Sequence, residues 1–334
     1  LFDPALASGT LTDSLLILAS NAEGHKRISI LNQLAHIQID FQPESSMKYS
    51  QMAYELSRNR DNLRDQAESL KNIGASWVSM GDMDKATPFL DEAFGIYNNK
   101  LEEEENWEDH YQIALILMHK GQFEKSIDGY QRALGMAEGL DLSGKGLCLR
   151  GMGDVYRKMG KFNQSLEYYT RALEIFQKLG TENGMDRLLF DMAVVYRHLA
   201  RYEEAIRNLF ASLEISRKTN NLIQMGHTYQ LAGGIYLNLR EFEKALEYHS
   251  RGLAIHEQIG DRAGVANTMD VLADIHLEME QFDQAFRLYN RAYEDRRKGG
   301  NKRMILRSQM NLGRYFTLRE NFPLALSYYR DALG

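Results

Sequence analysis

The sequence repeats itself with a period of about forty residues. A small residue, here called the crossing residue, recurs in seven successive segments at separations of 40, 39, 40, 40, 40 and 40 residues: Gly74, Ala114, Gly153, Ala193, Gly233, Ala273 and Gly313. In each segment a large residue follows after three positions, Met, Phe or Tyr after nine, and small residues after twelve and nineteen. Such agreement indicates a repeat array, in which each repeat stacks on its neighbours.

Each repeat is predicted to be a pair of antiparallel helices. Small residues are needed where two helices approach closely, and Gly81-Asp82, Gly121-Gln122 and Gly160-Lys161 supply a turn between the helices. Only 4 prolines occur in 334 residues, which suits long helices because proline interrupts the helical hydrogen bonds. We expect the large residues three positions after the crossing residues to fill the gaps between successive hairpins.

The array is expected to extend in front of the seven clear repeats. Leu34-Ala35, Ser46 and Ala53 fit an eighth, degenerate repeat, and the segment from Asp13 to Ala19 is predicted to be a short capping helix. We therefore predict an N-terminal segment over residues 1–27 and a repeat array over residues 28–334. Because the chain begins at Leu1 and stops inside a predicted helix, we expect it to be a piece of a longer protein.

Two segments carry a family resemblance especially well. Asn72-Ile73-Gly74, followed by Trp77, Gly81, Ala86 and Ala93, resembles the tetratricopeptide repeat (TPR) in its long, forty-residue form, as does Met152-Gly153 with the residues up to Ala172. The resemblance implies an all-α fold, a right-handed α-solenoid of about eight helical hairpins. It also implies a concave groove, lined by the first helix of each hairpin, that binds a protein or a peptide.

The opening of the chain carries a second resemblance. Thr12-Asp13-Ser14-Leu15, together with Arg27, Leu31 and Leu34-Ala35, is similar to the start of repeat domains attached to bacterial sensor kinases, cyclases and transcription regulators, especially in Bacteroidetes-like bacteria. This resemblance implies a sensor or ligand-recognition region of a larger signalling protein. It favours a periplasmic location over a cytoplasmic one.

Composition and motifs argue against several other functions. The net charge of −6 disfavours a nucleic-acid interface, the single Cys148 excludes an intrachain disulfide, and no apolar run is long enough to span a membrane. Gly151-Met152-Gly153 lacks the third glycine of a dinucleotide loop, and His256-Glu257 lacks the second histidine of a zinc-protease helix. We therefore expect no enzyme, no cofactor and no metal site.

The resemblance assigns certain first-helix positions to the groove. They give a basic stretch with one aromatic residue, an apolar stretch and a histidine: Arg150, Arg157, Arg187, Phe190 and Arg197; Tyr111 and Leu115; and His227. Arg157 and Arg197 occupy the same position in adjacent repeats, and arginine binds carboxylates and phosphates with paired hydrogen bonds. We therefore expect an acidic or C-terminal segment of a partner to bind here. An acidic column, Asp270, Asp274 and Glu278, is expected to orient a basic part of the same ligand.

Other interpretations stay open at this point. The arginines could simply pair with neighbouring carboxylates, and residues 1–25 could fold back over the apolar stretch. The whole chain could be a structural spacer or an oligomerisation arm that associates through its terminal repeats. An enzyme module with unrecognised chemistry is the least favoured alternative.

Overall fold

The computed structural model describes residues 11–39, 42–59, 62–99, 107–137, 142–182, 184–299 and 302–333. Within these ranges the chain forms seventeen α-helices and no strand, which confirms the all-α prediction. The helices group into two compact units, the N-terminal unit Leu1–Ala200 and the C-terminal unit Arg201–Gly334. Each unit is described by itself.

The N-terminal unit contains a first short helix, four helical hairpins and one further helix. Its helices are α1 (Leu11–Asn21), α2 (Gly24–Gln38), α3 (Pro43–Arg58), α4 (Leu63–Ser79), α5 (Met83–Asn99), α6 (Trp107–His119), α7 (Phe123–Ala137), α8 (Leu142–Lys158), α9 (Phe162–Leu179) and α10 (Met185–His198). The short N-terminal helix is confirmed as α1, which packs on α2. The degenerate repeat is the hairpin α2–α3, in which Ala35, Ser46 and Ala53 are fully buried.

The C-terminal unit contains one helix followed by three hairpins. Its helices are α11 (Tyr202–Lys218), α12 (Leu222–Asn238), α13 (Phe242–Gln258), α14 (Arg262–Glu278), α15 (Phe282–Gly299), α16 (Lys302–Leu318) and α17 (Phe322–Leu333). The hairpins are α12–α13, α14–α15 and α16–α17, and each also packs on the hairpin beside it. No helix among the described residues is both long enough and apolar enough to cross a lipid bilayer.

The crossing residues lie where the two helices of a hairpin touch. A Cβ atom built on Gly74, Gly153, Gly233 or Gly313 would lie within 2.6 Å of a side chain sixteen residues later in the chain. Those partner side chains are Leu90, Tyr169, His249 and Tyr329. Glycine is therefore needed at these positions because the partner side chain occupies the space of a Cβ atom.

A hydroxyl group strengthens two of these crossings. Ser126 donates a hydrogen bond to the carbonyl of Ala114 at 2.6 Å, and Ser165 donates to the carbonyl of Gly153 at 2.8 Å. Both serines are fully buried, so the bond gives a polar group in the core the partner that it needs. This explains why serine replaces alanine twelve residues after the crossing residue in these two repeats.

The large residues three positions after the crossing residues pack inside their own hairpin as well as between hairpins. Tyr156 stacks on Tyr168 at 5.2 Å between ring centroids, and Tyr236 stacks on Tyr248 at 5.1 Å. Phe316 stacks on Tyr328 in the same way, at 5.6 Å. Phe316 also meets Phe286 of the preceding hairpin edge-on, at 5.7 Å between ring centroids, as expected of a residue that fills the gap between hairpins.

The turn inside each of the seven clear repeats uses one left-handed residue, seven positions after the crossing residue. Three repeats place glycine there, with φ between 71° and 80°: Gly81, Gly121 and Gly160. The other four place a residue with a side chain there, with φ between 56° and 59°: Ala200, Arg240, Glu280 and Glu320. Left-handed backbone costs about 1–2 kcal/mol for a residue with a Cβ atom, so these four turns are strained.

Candidate functional site

A buried carboxylate joins two of the predicted groove arginines. Asp191, on α10, is 2% exposed. The Arg187 Nε atom lies 3.3 Å from both of its carboxylate oxygens, and the Arg150 Nη2 atom, on α8, lies 3.7 Å from Oδ2. Burial raises the pKa of Asp191, and the positive charges of Arg187 and Arg150 limit that rise. Asp191 thus fixes two arginines from neighbouring first helices on one face.

A second carboxylate on the same face holds Arg157. Tyr169, which is fully buried, donates a hydrogen bond to Asp154 Oδ1 at 2.6 Å. Arg157 donates from Nε to the Tyr169 hydroxyl at 3.3 Å, and its Nη2 atom lies 3.5 Å from Asp154 Oδ1. Burial, followed by the charge of Asp154, raises the pKa of Tyr169 well above its usual range, so the phenol keeps its proton. Both contacts of Arg157 are long, and its side chain is 26% exposed.

Arg197, on α10, is the fourth arginine of the group. Its half-buried side chain forms no ion pair with any of the described residues. Burial, then the positive charges of Arg197 and Arg157, lower the pKa of His198, the residue that follows Arg197 on α10. We call Arg150, Arg157, Arg187 and Arg197 the arginine face. Asp154 and Asp191 are the carboxylates that pair with this face among the described residues.

The remaining predicted residues lie in different surroundings. Phe190 is half-buried on α10. Tyr111 packs edge-on against Tyr130 at 5.5 Å, and Leu115 packs against the same apolar cluster. His227 belongs to the C-terminal unit, where its ring centroid lies 5.8 Å from that of His256. The sequence also left open that residues 1–25 fold over the apolar stretch. Residues 1–10 of that segment lie outside the described residues.

The acidic column needs a correction. Asp270 is only 1% exposed and accepts a hydrogen bond from Arg296 at 2.7 Å, while Asp274 pairs with Arg314 and accepts from Tyr289 at 2.5 Å. The column is therefore not a row of free carboxylates, because arginines of the same unit already neutralise both aspartates. Glu278 lies 3.8 Å from Arg240 at the surface, and the side chain of Asp274 stays 41% exposed beside Arg314.

The sequence analysis missed Asp191 and Tyr169 as parts of this arrangement. The sequence contains a signal for Tyr169. In only two repeats is the crossing residue followed directly by an aspartate and, sixteen residues after the crossing residue, by a tyrosine. Those pairs are Asp154 with Tyr169 and Asp274 with Tyr289, and in both the tyrosine donates to the aspartate. Among the described residues, no three His, Cys, Asp or Glu side chains are grouped so that they could hold a metal ion.

The sequence also matches known family models. One tetratricopeptide repeat model matches residues 109–178, 147–218, 184–258 and 224–298, and a second tetratricopeptide repeat model matches residues 271–334. No curated protein matches the sequence at a significant level.

Solved structures share the fold. The apo form of RapI matches with a TM-score of 0.55 and 17% identity over 92% of this chain and 96% of its own. A Rap protein in complex with Competence and Sporulation Factor matches with a TM-score of 0.54 and 16% identity over 92% and 97%. A signal-transduction ATPase (STAND) protein with a tetratricopeptide repeat sensor, from Pyrococcus horikoshii, gives a TM-score of 0.64 and 12% identity over 93% of this chain and 53% of its own. These identities support a likeness of fold alone, and the family models, which cover residues 109–334, show that this chain belongs to the tetratricopeptide repeat family.

Proposed function

We propose that this chain is the ligand-recognition region of a signalling protein and that an acidic segment of a protein or peptide binds its arginine face. The observation that carries the proposal is the weak pairing of Arg157 and Arg197 with carboxylates of the described residues. Asp154 and Asp191 hold their arginines at long distances, and Arg197 has no ion-pair partner among the described residues. A ligand carboxylate would supply a closer negative partner.

The partial burial of these arginines adds to the expected affinity. The side chains of Arg150, Arg157 and Arg187 are only 24–26% exposed, so a bound carboxylate would be shielded from water on one side. Hydrogen bonds between charged groups contribute more in such surroundings than at a fully wet surface. Asp154 and Asp191 also hold the guanidinium groups in place before a ligand arrives, which lowers the entropy lost on binding.

The chemistry of the face favours binding over catalysis. Arginine keeps its proton, and the raised pKa of Tyr169 makes this phenol a hydrogen-bond donor and a poor nucleophile. We therefore propose a non-catalytic role. The similar Rap structure contains Competence and Sporulation Factor, and the Pyrococcus protein carries its repeats as a sensor, which agrees with a recognition role here. A periplasmic location stays a prediction from the opening of the chain.

Peptide selection tests this proposal directly. A displayed library of random peptides would be selected on the purified chain, and the selected peptides would then be titrated by fluorescence anisotropy. We expect enrichment of Asp and Glu, and a loss of affinity of about 10- to 100-fold in the double variant Arg157→Ala/Arg197→Ala. Arg132→Ala is the matched control, because Arg132 is an exposed arginine on α7.

Two results would reject the proposal. The first is a set of tight-binding peptides without acidic enrichment. The second is wild-type affinity in the double variant while its far-UV circular dichroism shows an intact fold. Arg197→Ala alone should leave stability unchanged, since Arg197 makes no ion pair with the described residues, and this separates a binding effect from a folding effect.

Self-association is the second candidate function, and one surface favours it. The last hairpin exposes several large apolar side chains, including Leu318 at 57% and Phe322 at 63%, together with Met310, Leu324 and Leu326. Where exposed apolar side chains adjoin one another they often mark an interaction site, and these five belong to the same hairpin. Sedimentation velocity over a range of concentrations distinguishes the two candidates, because an oligomerisation arm would dimerise without any ligand.

A further inference from the structure

The C-terminal unit contains a small polar cavity that the proposed function does not use. Its volume is about 270 Å³, and it is lined by Gln230, His249, Asn267, Thr268, Val271 and Arg307. These residues come from α12, α13, α14 and α16, so one hairpin and the first helices of the next two meet around it. Pockets for drug-sized ligands are usually larger, about 300–1,000 Å³. The size therefore suits a small polar group.

One wall of the cavity is a buried histidine without a hydrogen-bond partner. His249 is 5% exposed, and neither of its ring nitrogens is hydrogen-bonded to a described residue. Its ring fits against Gly233, where a Cβ atom would lie 2.6 Å from His249 Cδ2. Leu90 and Leu209 occupy the corresponding place in other repeats, so packing alone does not require an imidazole here. Buried polar groups in native proteins normally have partners, and an unpaired one needs an explanation.

The charges beside the cavity do not balance. Asp270 is bound closely by Arg296 at 2.7 Å, whereas Arg307 Nε lies 3.6 Å from the same carboxylate. Arg307 Nη1 also donates to Asn267 Oδ1, at 3.4 Å, and its side chain is 51% exposed. Two arginines thus face one buried aspartate. Among the residues that the structure describes here, one positive charge stays in excess, and it belongs to Arg307, the more exposed of the two arginines.

The neutral groups of the cavity are held in defined orientations. Asn267 Oδ1 accepts a hydrogen bond from Arg296 at 2.8 Å, so the amide nitrogen of Asn267 is left as a donor. Gln230 donates to Thr268 Oγ1 at 2.8 Å, and Thr268 donates to the Gly264 carbonyl at 2.7 Å. Burial lowers the pKa of His249 to about 4, so its ring is neutral at neutral pH and offers one N–H group. The cavity therefore combines one cation with neutral donors.

We propose that this cavity binds a carboxylate group, with Arg307 as its charged partner and with Asn267 and His249 as neutral donors. A carboxylate is the anion that fits best, because it is small and planar and accepts several hydrogen bonds at once. It can come from a free small acid or from the end of a peptide chain. Both sources share the same chemistry, and the experiment below distinguishes them.

Binding is measured by NMR on the histidine ring C–H signals, with His249→Leu used to assign the signal of His249. The wild-type chain is titrated at constant ionic strength with acetate and with its uncharged analogue acetamide. Separate titrations use trialanine and trialanine amide, which differ only in the terminal carboxylate. We expect a saturable shift of the His249 signal with acetate, trialanine or both, with a dissociation constant on the order of millimolar for so small a ligand, and none with the two amides.

The variant Arg307→Gln should weaken carboxylate binding at least about tenfold, because it removes the excess charge. Arg303→Gln is the matched control, since Arg303 is an exposed arginine on the same helix and does not line the cavity. Saturation by trialanine alone assigns the site to peptide ends, and saturation by acetate extends it to free acids. The proposal is overturned if no carboxylate gives a saturable shift, if the amides bind equally well, or if Arg307→Gln binds like the wild type. None of these outcomes depends on the arginine face.

Discussion

Replacing Gly153 by leucine tests the packing that defines each repeat. A Cβ atom at this position would lie 2.4 Å from Tyr169 Cδ1 and 2.5 Å from Cε1, whereas carbon atoms pack comfortably at about 3.5–4.0 Å. The ring of Tyr169 has little freedom to move away, because it is fully buried and its hydroxyl is bound to Asp154. Gly153→Leu must therefore push the ring aside and break that hydrogen bond.

The cost follows from three contributions. Overpacking a core costs about 1–3 kcal/mol, and loss of a hydrogen bond to a charged group costs about 1.5–3 kcal/mol. Leucine returns up to about 0.8 kcal/mol, because it favours helix more than glycine does. The expected net loss in the free energy of unfolding is about 2–5 kcal/mol.

Gly153→Ala makes the comparison sharper. In the hairpin α14–α15 an alanine, Ala273, stands at the crossing position, and Tyr289 still donates to Asp274 there. At Gly153 a methyl group requires the ring of Tyr169 to shift, so we expect Gly153→Ala to lower the free energy of unfolding by about 1–3 kcal/mol, less than Gly153→Leu. The loss should therefore increase with the size of the side chain.

Urea unfolding followed by far-UV circular dichroism measures the overall effect. Repeat arrays can unfold segment by segment, so hydrogen exchange of the α8 and α9 amides is needed to locate the loss. Gly135→Leu is the control, because Gly135 is exposed on α7 and a Cβ atom there meets nothing within 4 Å. This control should be neutral or slightly stabilising. Equal urea midpoints for Gly153→Leu and the wild type would refute the assigned register of the repeats.

Three further predictions concern turns, pH and the last hairpin. Glu280→Gly should raise the free energy of unfolding by up to about 1 kcal/mol in urea titrations, because the φ angle of Glu280 is 59°. Gly160→Ala should lower it, because the φ angle of Gly160 is 71°. A lower stability of Glu280→Gly would contradict the backbone strain assigned to this turn. The pKa of His249 is about 4 in the folded chain and about 6.5 in the unfolded one, so its contribution to stability is unchanged above pH 6.5 and falls by up to about 3 kcal/mol towards pH 4. His249→Leu should remove that part of the pH dependence, and identical pH profiles for the variant and the wild type would argue against a buried neutral ring. The backbone amides of α17 should exchange hydrogen faster than those of α10 at a dilution where the chain is monomeric, since Phe322 and its apolar neighbours are exposed. Equal protection of the two helices would count against a loosely packed last hairpin.

The periodicity of the sequence predicted the hairpins well, because each repeat places the same residue types at the same structural positions. The crossing glycines, the turns and the degenerate repeat around Ala35 all follow from that alignment. The left-handed turn residues were visible only where they are glycine. Arg240 and Glu280 share the position but show no compositional sign of it, and their conformation follows only from the register that they share with Gly160.

The partners of charged side chains were beyond the reach of the pattern. A repeat position states which face of a helix a residue occupies, whereas its ion pair depends on side chains of the neighbouring helix. Asp191 pairs with Arg150, which lies 41 positions earlier, and Asp270 pairs with Arg296 on the following helix. The acidic column was therefore assigned to the ligand without the arginines that already pair with Asp270 and Asp274. The arginine face was proposed from the pattern, but the aspartates that hold it needed coordinates.

The left-handed turns have a practical consequence for spectroscopy. Arg240, Glu280 and Glu320 already carry side chains at φ between 58° and 59°, so cysteine at any of them adds no new backbone strain. The native Cys148 is fully buried and would be shielded from thiol-reactive reagents in the folded chain. Pairs of spin labels at these three turns would therefore act as a ruler across successive hairpins of the C-terminal unit. Pulsed dipolar measurements with and without acetate or a selected peptide would then show whether occupancy changes the pitch of the array.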